Sequence, residues 1–496
     1  MKKILLILFF PSILFSQQAY SDFFKAVIND SKNIEDYIDP EDLARSGRLG
    51  ITYDGVKNTF LISFDIDESI KKEIKELKSE YSYIVPSGES NYKAIEFSMR
   101  NSKYKKKFYF RDGKFIAPST YFTKDWLTKT SKYFVFKISE PKYFNDYCIN
   151  KLDDFVDTMA DSLGFTGGER ALLKKEKLYY IFCKDEDEVQ KITGYKSKGQ
   201  SVLAFDEVIT AYQTHFHEVA HLLMNYKLKK LGLYTHPFLM EGFAVAMGGR
   251  GGMAPRVVTD LGYYLQKSAF LTYDSILSNT NFMNQDANMT YAVSGLYNEF
   301  LLHELGVMKY FELYRKHNGG IEFVKNDVIE KNQFPSEERF NKFLSGYNDS
   351  FLLAVDERDT TKPDVFAQGM GGYIVGSGSK MKFFVYKNLL FGPTDEYLEF
   401  GNGVYQSRRY LSIFPDSKRF SGIKYCIDAD SISIEIINFY NDEVVYSYNR
   451  NLSAQNITIP RINEGNMLKG HFVFFLNESL FGDEFKKGMV LQGYGR

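Results

Sequence analysis

Thr214-His215-Phe216-His217-Glu218-Val219-Ala220-His221-Leu222-Leu223-Met224 contains one H-E-x-x-H pattern. Residues four apart lie one turn above each other on a helix, so His217 and His221 can present two imidazoles to one ion, with Glu218 beside them as a candidate base. The apolar residues around them are typical of a buried helix. Two histidines and a carboxylate buried there would be unfavourable by several kcal/mol without partners, and a metal ion supplies those partners. The stretch therefore predicts a metal site on a buried helix.

A third protein ligand is expected, because a catalytic zinc ion typically takes three and leaves its fourth position for water. The candidate is Glu241, in the segment Pro237-Phe238-Leu239-Met240-Glu241-Gly242-Phe243-Ala244. Lysines at 227, 229 and 230 and Gly232 predict the end of the first helix. A second helix beginning near Phe238 can then fold back and offer the Glu241 carboxylate. Nitrogen and oxygen ligands of this kind favour Zn²⁺.

These motifs resemble the gluzincin metallopeptidases, in particular their peptidase MA-like and aminopeptidase-N-like catalytic domains. H-E-x-x-H is followed by a glutamate in a Leu-Met-Glu-Gly-Phe-Ala setting, and Tyr291-Ala292-Val293-Ser294-Gly295 is similar to the Tyr-x-x-x-Gly helix of that group. The resemblance covers about residues 131 to 355. It implies a zinc ion held by His217, His221 and Glu241, with Glu218 as general base and Tyr291 stabilising the tetrahedral intermediate. Tyr297 and Tyr234 are alternative candidates for the tyrosine.

The resemblance also implies a thermolysin-like fold, with a small mixed sheet over a helical lower half. In gluzincins the last strand before the metal helix is typically an edge along which an extended substrate pairs. We predict that the strand containing Val202, Leu203, Ala204 and Phe205 provides this substrate-binding edge, the alternative being an ordinary central strand. The aminopeptidases of the group carry a Gly-x-Met-Glu-Asn segment upstream, which is absent between Tyr133 and His215. We therefore expect an endopeptidase.

A glycine-rich segment, Gly248-Gly249-Arg250-Gly251-Gly252, follows the third ligand's helix. It matches neither phosphate-binding pattern of glycine-rich loops, and we interpret it as a mobile loop at the rim of the site. Arg250 either binds a substrate carboxylate or carbonyl, or is an ordinary surface arginine. His215 is predicted to have a surface or satisfied polar role rather than a ligand role.

Residues 1–16 predict a signal peptide, because Lys2 and Lys3 precede an apolar run, Ile4 to Phe15, that is too short to span a membrane as a helix. Cleavage is expected near Ser16 or as late as Ala19, which implies export to the periplasm or the extracellular space. No later stretch reaches the ~18 apolar residues of a transmembrane helix, so no transmembrane segment is expected.

Charge and cysteine content exclude several classes of protein. The 62 basic and 63 acidic residues among 496 nearly balance, so the chain offers no general field for nucleic acid and we expect no nucleic-acid partner. Three cysteines cannot form a disulfide framework. Cys148 and Cys183 either pair or remain buried thiols.

The chain is predicted to be an α+β protein with three domains after the signal peptide. Residues 22–130 are expected to form a small mixed α+β domain, residues 131–355 the catalytic domain, and residues 364–496 a β-rich, β-sandwich-like domain that could dock a substrate, a partner or a surface. A polar linker is expected around Asp356 to Pro363. Short strands separated by turn residues are the basis of the last assignment.

A few single elements are also predicted. In the first domain we expect a strand at Thr59 to Ile66 and a hairpin that turns at Asp112-Gly113. In the catalytic domain we expect a strand at Ser201 to Phe205 and, after the helix of Tyr291, a separate helix from Leu301 to Tyr314.

The predicted function is that of a secreted zinc metalloprotease, a hydrolase whose substrate is a peptide or protein. The residues leave two alternatives open. One is a catalytically silent, gluzincin-like binding or assembly protein. The other is a zinc hydrolase of a non-peptide ester or amide, because the same site supports that chemistry.

Overall fold

The structure is a computed structural model of the full chain. It describes residues 9–30, 33–52, 66, 68–87, 90–100, 103–141, 144, 147–229, 234–250, 255–269, 271–285, 287–319 and 328–347. Beyond residue 347 it describes the strands alone, without their side chains.

Thirteen helices are described: α1 (Phe9–Ile28), α2 (Pro40–Arg45), α3 (Glu68–Leu77), α4 (Pro118–Phe122), α5 (Tyr147–Ser162), α6 (Gly167–Glu176), α7 (Glu186–Thr193), α8 (Phe216–Leu228), α9 (Pro237–Gly248), α10 (Pro255–Lys267), α11 (Asn279–Asn284), α12 (Ala287–Lys316) and α13 (Glu337–Leu344). The described strands up to residue 319 are β1 (Tyr81–Ile84), β2 (Tyr92–Met99), β3 (Lys105–Arg111), β4 (Lys114–Ile116), β5 (Leu127–Thr130), β6 (Phe134–Ile138), β7 (Leu178–Phe182), β8 (Gly199–Val202), β9 (Glu207–Thr210), β10 (Tyr234–Thr235) and β11 (Asn318–Gly319). The mixture of helices and sheets confirms the α+β class at this coarse level.

The chain divides into two compact units. The first comprises Met1–Glu140, Thr166–Ala211 and Asn225–Leu231, and the second comprises Pro141–Phe165, Tyr212–Met224 and Gly232–Arg496. The division differs from the predicted domains, because the first unit joins the N-terminal segment to strands that the sequence assigned to the catalytic domain. The predicted boundary at residue 130 falls between β5 and β6, which pair as antiparallel neighbours.

The first unit contains a four-stranded antiparallel sheet in the order β1-β2-β3-β4. As predicted, the hairpin of β3 and β4 turns at Asp112-Gly113, and both residues have positive φ angles of 49° and 78°. Against this sheet α1 buries Phe23 and Phe24, which contact Phe108 in edge-to-face geometry. The helix continues through both predicted cleavage positions, and its side chains from residue 18 onward are described. The predicted strand at residues 59–66 lies almost wholly outside the described residues.

A five-stranded mixed sheet, in the order β5-β6-β7-β9-β8, completes the first unit. The three central strands β6, β7 and β9 run parallel, and β5 and β8 join them as antiparallel edges. Of the predicted substrate-binding residues, only Val202 lies in an edge strand. The prediction that this strand extends to Phe205 was wrong: Leu203, Ala204 and Phe205 form a buried turn into β9. The turn is buried because Phe205 packs into the aromatic core of the first unit.

In the second unit, glycines allow helices α9, α10 and α12 to pack closely. A Cβ atom at Gly242 of α9 would collide with the backbone of Ser294 and the side chain of Asn298, both on α12. A Cβ at Gly295 would collide with Val245 of α9, and one at Gly262 of α10 with the carbonyl of Ala292. This packing gives a structural reason for the glycine of the Tyr-x-x-x-Gly segment. The predicted separate helices at Tyr291 and at residues 301–314 form one element, α12, with a kink at Gly306 (φ 72°).

The described C-terminal strands form three antiparallel sheets. The strands are β12 (Phe351–Asp359), β13 (Tyr373–Val375), β14 (Lys380–Tyr386), β15 (Tyr397–Phe400), β16 (Val404–Arg409), β17 (Ser421–Asp428), β18 (Ser431–Asn438), β19 (Glu443–Asn451), β20 (His471–Phe475) and β21 (Val490–Tyr494). Their orders are β12-β14-β13, β15-β16-β17-β18-β19 and β20-β21. The C-terminal region is thus rich in strands, and a sandwich remains a prediction. Residues 356–359 of the predicted linker belong to β12 instead, and residues 360–363 lie outside the described part.

The described residues resolve one sequence-based alternative, the state of the two cysteines. Cys148 and Cys183 are both buried thiols that form no disulfide, and the Cys148 thiol donates to the Gln213 side-chain oxygen at 3.2 Å. None of the described helices combines the length and the apolar character that a membrane span requires.

Candidate metal centre

The three predicted ligands lie at the beginnings of two helices of the second unit. His217 and His221 occupy the first turns of α8, and Glu241 follows the first turn of α9. Helix α9 begins where the sequence predicts, with Pro237 in its first turn and the His236 side chain accepting a hydrogen bond from the Phe238 N–H at 3.2 Å. This cap fixes the start of α9, and so the turn on which Glu241 lies.

The ligand atoms are close enough to share one ion. The Oε2 atom of Glu241 lies 3.1 Å from Nε2 of His217 and 3.5 Å from Nε2 of His221, and all three ligand atoms lie within 4.8 Å of one another. Zinc bonds of about 2.0–2.1 Å at tetrahedral angles separate two ligand atoms by about 3.3 Å. The two imidazole rings are nearly perpendicular, at 87°. The spacing therefore fits two edges of a tetrahedral site.

The hydrogen bond on the other side of the His217 ring identifies its tautomer. Nδ1 of His217 lies 2.8 Å from the carbonyl oxygen of Gly249. A carbonyl oxygen only accepts, so Nδ1 carries a proton, and a neutral His217 must turn the lone pair of Nε2 towards Glu241 Oε2. A lone pair and a carboxylate oxygen at 3.1 Å repel each other unless a proton or a metal ion lies between them. Metal-bound histidines commonly donate their other N–H to a carbonyl in this way.

Two glycines place that carbonyl. A Cβ atom at Gly248 would lie 2.6 Å from the His217 nitrogen and from the Phe216 carbonyl, so only glycine allows the end of α9 to approach the start of α8. Gly249 has φ 71° and ψ −157°, a conformation that glycine adopts far more readily than other residues. The segment that the sequence interpreted as a mobile rim loop thus begins as a support for His217. Gly251 and Gly252 lie outside the described residues.

Burial and mutual attraction set the charges of the ligands. His217 and His221 are each 6% exposed. Burial raises the pKa of the Glu241 carboxyl, but His221 and His217 outweigh burial and hold that pKa well below its usual range. Burial lowers the pKa of His221, but Glu241 and Glu218 outweigh it and raise that pKa overall. Glu241 is therefore an ionised carboxylate at neutral pH, as a metal ligand must be.

Glu218 lies beside the cluster, and His215 lies beside Glu218. Nε2 of His215 is 3.9 Å from Oε1 of Glu218, and both side chains are largely buried. Burial raises the pKa of Glu218, but His215, His217 and His221 lower it overall. Burial lowers the pKa of His215 to about 4, so this ring is neutral at pH 7. Of the two roles predicted for His215, the surface role was wrong and the polar role beside Glu218 remains, because the loop before α8 folds the ring into the site.

Tyr291 is the predicted tyrosine that contacts the cluster. Its ring stacks on that of His217 at 6.1 Å between centroids, with 23° between the planes. Burial raises the pKa of Tyr291, and the charge of Glu241 raises it further. The hydroxyl is therefore protonated at neutral pH and can donate a hydrogen bond. The alternative Tyr297 stacks on Tyr273 in a separate aromatic cluster, and the side chain of Tyr234 lies outside the described part.

Arg250 is the second residue whose position the sequence did not settle. Its guanidinium lies over the Tyr291 ring, 3.7 Å from the ring centroid. The site of the second unit thus contains His217, His221, Glu241, Glu218, Tyr291, His215 and Arg250. The predicted substrate-binding residues Val202, Leu203, Ala204 and Phe205 belong to the first unit, and their role stays a prediction.

Comparisons with known proteins find no relative of this chain. No family model, no curated protein and no solved structure matches this chain.

Proposed function

We propose that this chain is a zinc-dependent peptidase of the gluzincin type. The observation that carries the proposal is the arrangement around His217, whose Nδ1 lies 2.8 Å from a carbonyl oxygen and whose Nε2 lies 3.1 Å from the Glu241 carboxylate. A neutral His217 then has an Nε2 lone pair that faces this carboxylate. The third ligand atom, from His221, lies within the same small space. The mixed sheet and the close-packed helices α8, α9 and α12 are consistent with a thermolysin-like catalytic domain.

Zinc bound by these three side chains would lower the pKa of a water molecule from 15.7 towards ~7 and polarise a substrate carbonyl. Glu218 takes the proton from the attacking water and passes it to the leaving amine. Its pKa, lowered overall by the three histidines, keeps it ionised and ready to accept that proton. Tyr291 donates a hydrogen bond to the carbonyl oxygen as negative charge develops there.

The remaining parts of the proposal rest on the sequence. Residues 1–16 resemble a signal peptide, so we propose that the enzyme acts in the periplasm or outside the cell. The absence of a Gly-x-Met-Glu-Asn segment favours an endopeptidase. The strand-rich C-terminal region is the candidate for docking a protein substrate, a partner or a surface.

The test replaces Glu218 by Gln in the mature chain and measures zinc content beside hydrolysis of casein and of a peptide library. Because Glu218 is not a ligand, zinc content should stay at about one ion per chain. Hydrolysis should fall by roughly 10²–10⁴-fold, the usual contribution of a general base. Chelation should abolish the activity of the parent protein, and added zinc should restore it.

The matched control is Glu312→Gln, which changes an exposed glutamate on α12 and should alter neither readout. A parent protein that binds no zinc would refute the metal centre. Zinc without hydrolysis of any peptide, ester or amide would favour the silent binding protein, and hydrolysis of esters or non-peptide amides alone would favour the third alternative.

A further inference from the structure

Arg250 is held beside the metal centre by its own backbone. It directly follows Gly249, whose carbonyl accepts from His217 Nδ1 at 2.8 Å. The preceding Gly248 lies against the first residues of α8, in a gap that no larger residue fits. The position of Arg250 is therefore coupled to the start of the metal-binding helix.

The side chain of Arg250 is also fixed. Its guanidinium stacks on Tyr291 with the central carbon 3.7 Å from the ring centroid, and Tyr291 itself stacks on His217. Arg250 also forms a side-chain hydrogen bond with the Tyr291 hydroxyl, but a guanidinium has five N–H donors, so others are left for a ligand. Arg250 is partly exposed, so those N–H groups remain within reach of a ligand.

A second arginine in the same unit shows what is different about Arg250. Arg256 stacks on Tyr347 at the same distance, 3.7 Å, and its Nε lies 2.9 Å from the Asp260 carboxylate. In the part of the chain that the structure describes, no carboxylate lies within ion-pair distance of Arg250. A guanidinium oriented at a catalytic centre without a protein counter-ion is suited to an anion that arrives with a ligand.

The chemistry of the guanidinium identifies that anion. Its planar fork matches a carboxylate through two parallel N–H···O bonds, and bonds between charged groups are about twice as strong as those between neutral groups. A peptide offers carboxylates at its C-terminus and on Asp and Glu side chains. We propose that Arg250 binds a carboxylate of the substrate, so that the enzyme prefers to cleave next to a residue that carries one. This inference rests on the proposed peptidase function.

The test uses a blocked alanine-rich hexapeptide in matched forms. One pair ends in a free carboxylate or in a carboxamide, and a second, amide-ended pair carries one Glu or one Gln at successive positions. We expect kcat/KM for the carboxylate member to exceed that for its neutral counterpart at least tenfold in one of the two pairs. Whichever pair shows the preference identifies a C-terminal or a side-chain carboxylate as the group that is bound.

Arg250→Gln should reduce this ratio to about one, and Arg250→Lys should leave an intermediate ratio, because an ammonium keeps the charge but loses the two-point contact. Arg256→Gln is the control, because Arg256 lies at the same distance from its own tyrosine ring, and it should keep the parent ratio. Zinc content of the three variants shows whether the site is still assembled.

A binding measurement separates this inference from the proposed function. Calorimetry on the Glu218→Gln protein gives the Kd of each peptide without turnover, and the carboxylate peptide should bind at least tenfold more tightly than its neutral partner. An inactive parent protein would refute the peptidase proposal, while the calorimetric ratio would still report on Arg250. Equal or undetectable binding of both members, or a preference that survives in a chain carrying both Glu218→Gln and Arg250→Gln, would overturn the inference.

Discussion

Replacing Gly242 by alanine tests whether close packing of α9 on α12 positions the metal ligand. Gly242 immediately follows Glu241, and an added Cβ would lie 2.7 Å from the Ser294 carbonyl oxygen and 2.8 Å from Cγ of Asn298. Asn298 donates from its amide to the carbonyl oxygens of Phe238 and Ser294, both at 2.8 Å. The methyl group would push this amide away, and α9 would move with it.

The expected magnitude combines three contributions. Overpacking of a filled core costs about 2 kcal/mol, and the loss of one buried hydrogen bond from Asn298 costs about 1 kcal/mol. Alanine is the better helix former by about 1 kcal/mol, which offsets part of the loss. The free energy of unfolding should therefore fall by about 2 kcal/mol. Displacement of the neighbouring Glu241 should weaken zinc binding by roughly 10–100-fold, as changes around a metal ligand typically do.

Urea unfolding of the chelated protein and competition with a zinc indicator measure the two effects separately. The control is Gly167→Ala at the start of α6, where an added Cβ meets no atom within 4 Å. This change should leave zinc affinity unaltered and should shift stability by no more than about 1 kcal/mol. A Gly242→Ala protein with parental stability and zinc affinity would refute the idea that this contact sets the position of Glu241.

Two further predictions concern metal removal and pH. Zinc at 100 times its Kd should raise the free energy of unfolding by about 2.7 kcal/mol in a urea titration, and the same stabilisation after Glu241→Gln would contradict the ligand assignment. Burial raises the pKa of Asp206 to about 6, against the opposing charges of Arg48 and Arg45, so its contribution to stability is complete below pH ~4 and is lost as the pH rises through 6. The test is Asp206→Asn, because asparagine tolerates the positive φ of 54° at this position. The change should remove up to about 3 kcal/mol of the difference in unfolding free energy between pH 4 and pH 7. An unchanged difference in urea midpoints would show that Asp206 does not titrate as inferred.

The features that the sequence predicted well depend on short-range geometry. The turn at Asp112-Gly113 follows from two residues that tolerate positive φ. The pairing of His217 with His221 follows from helical periodicity alone. Glu241 required one further step, a helix that folds back, and the proline at position 237 marks where that helix begins.

The features that the sequence did not predict depend on contacts between distant residues. Glu207 looks too polar for a central strand, yet it is fully buried in β9 because Arg45 lies 2.8 Å away from its carboxylate. The strand was therefore placed too early, at residues 201–205. Arg250 and His215 carry no periodic or spacing signal. The approach of the end of α9 to the start of α8 brings Arg250 to the site, and the loop before α8 places the His215 ring beside Glu218. The clearest available hint was the pair Gly248-Gly249, which marks a close backbone approach.

The charges around the cluster bear on our proposal of a divalent cation. Histidines lower the pKa of both Glu218 and Glu241 overall, so two buried carboxylates are ionised at neutral pH. His215 is neutral at that pH, and the Arg250 guanidinium lies over the ring of Tyr291 and lowers the pKa of its hydroxyl in part. A proton on His221, whose pKa Glu241 and Glu218 raise overall, would balance one of these carboxylates. The divalent ion that we propose would balance both and would also accept the Nε2 lone pair of a neutral His217, which is why we propose a metal ion rather than protons alone.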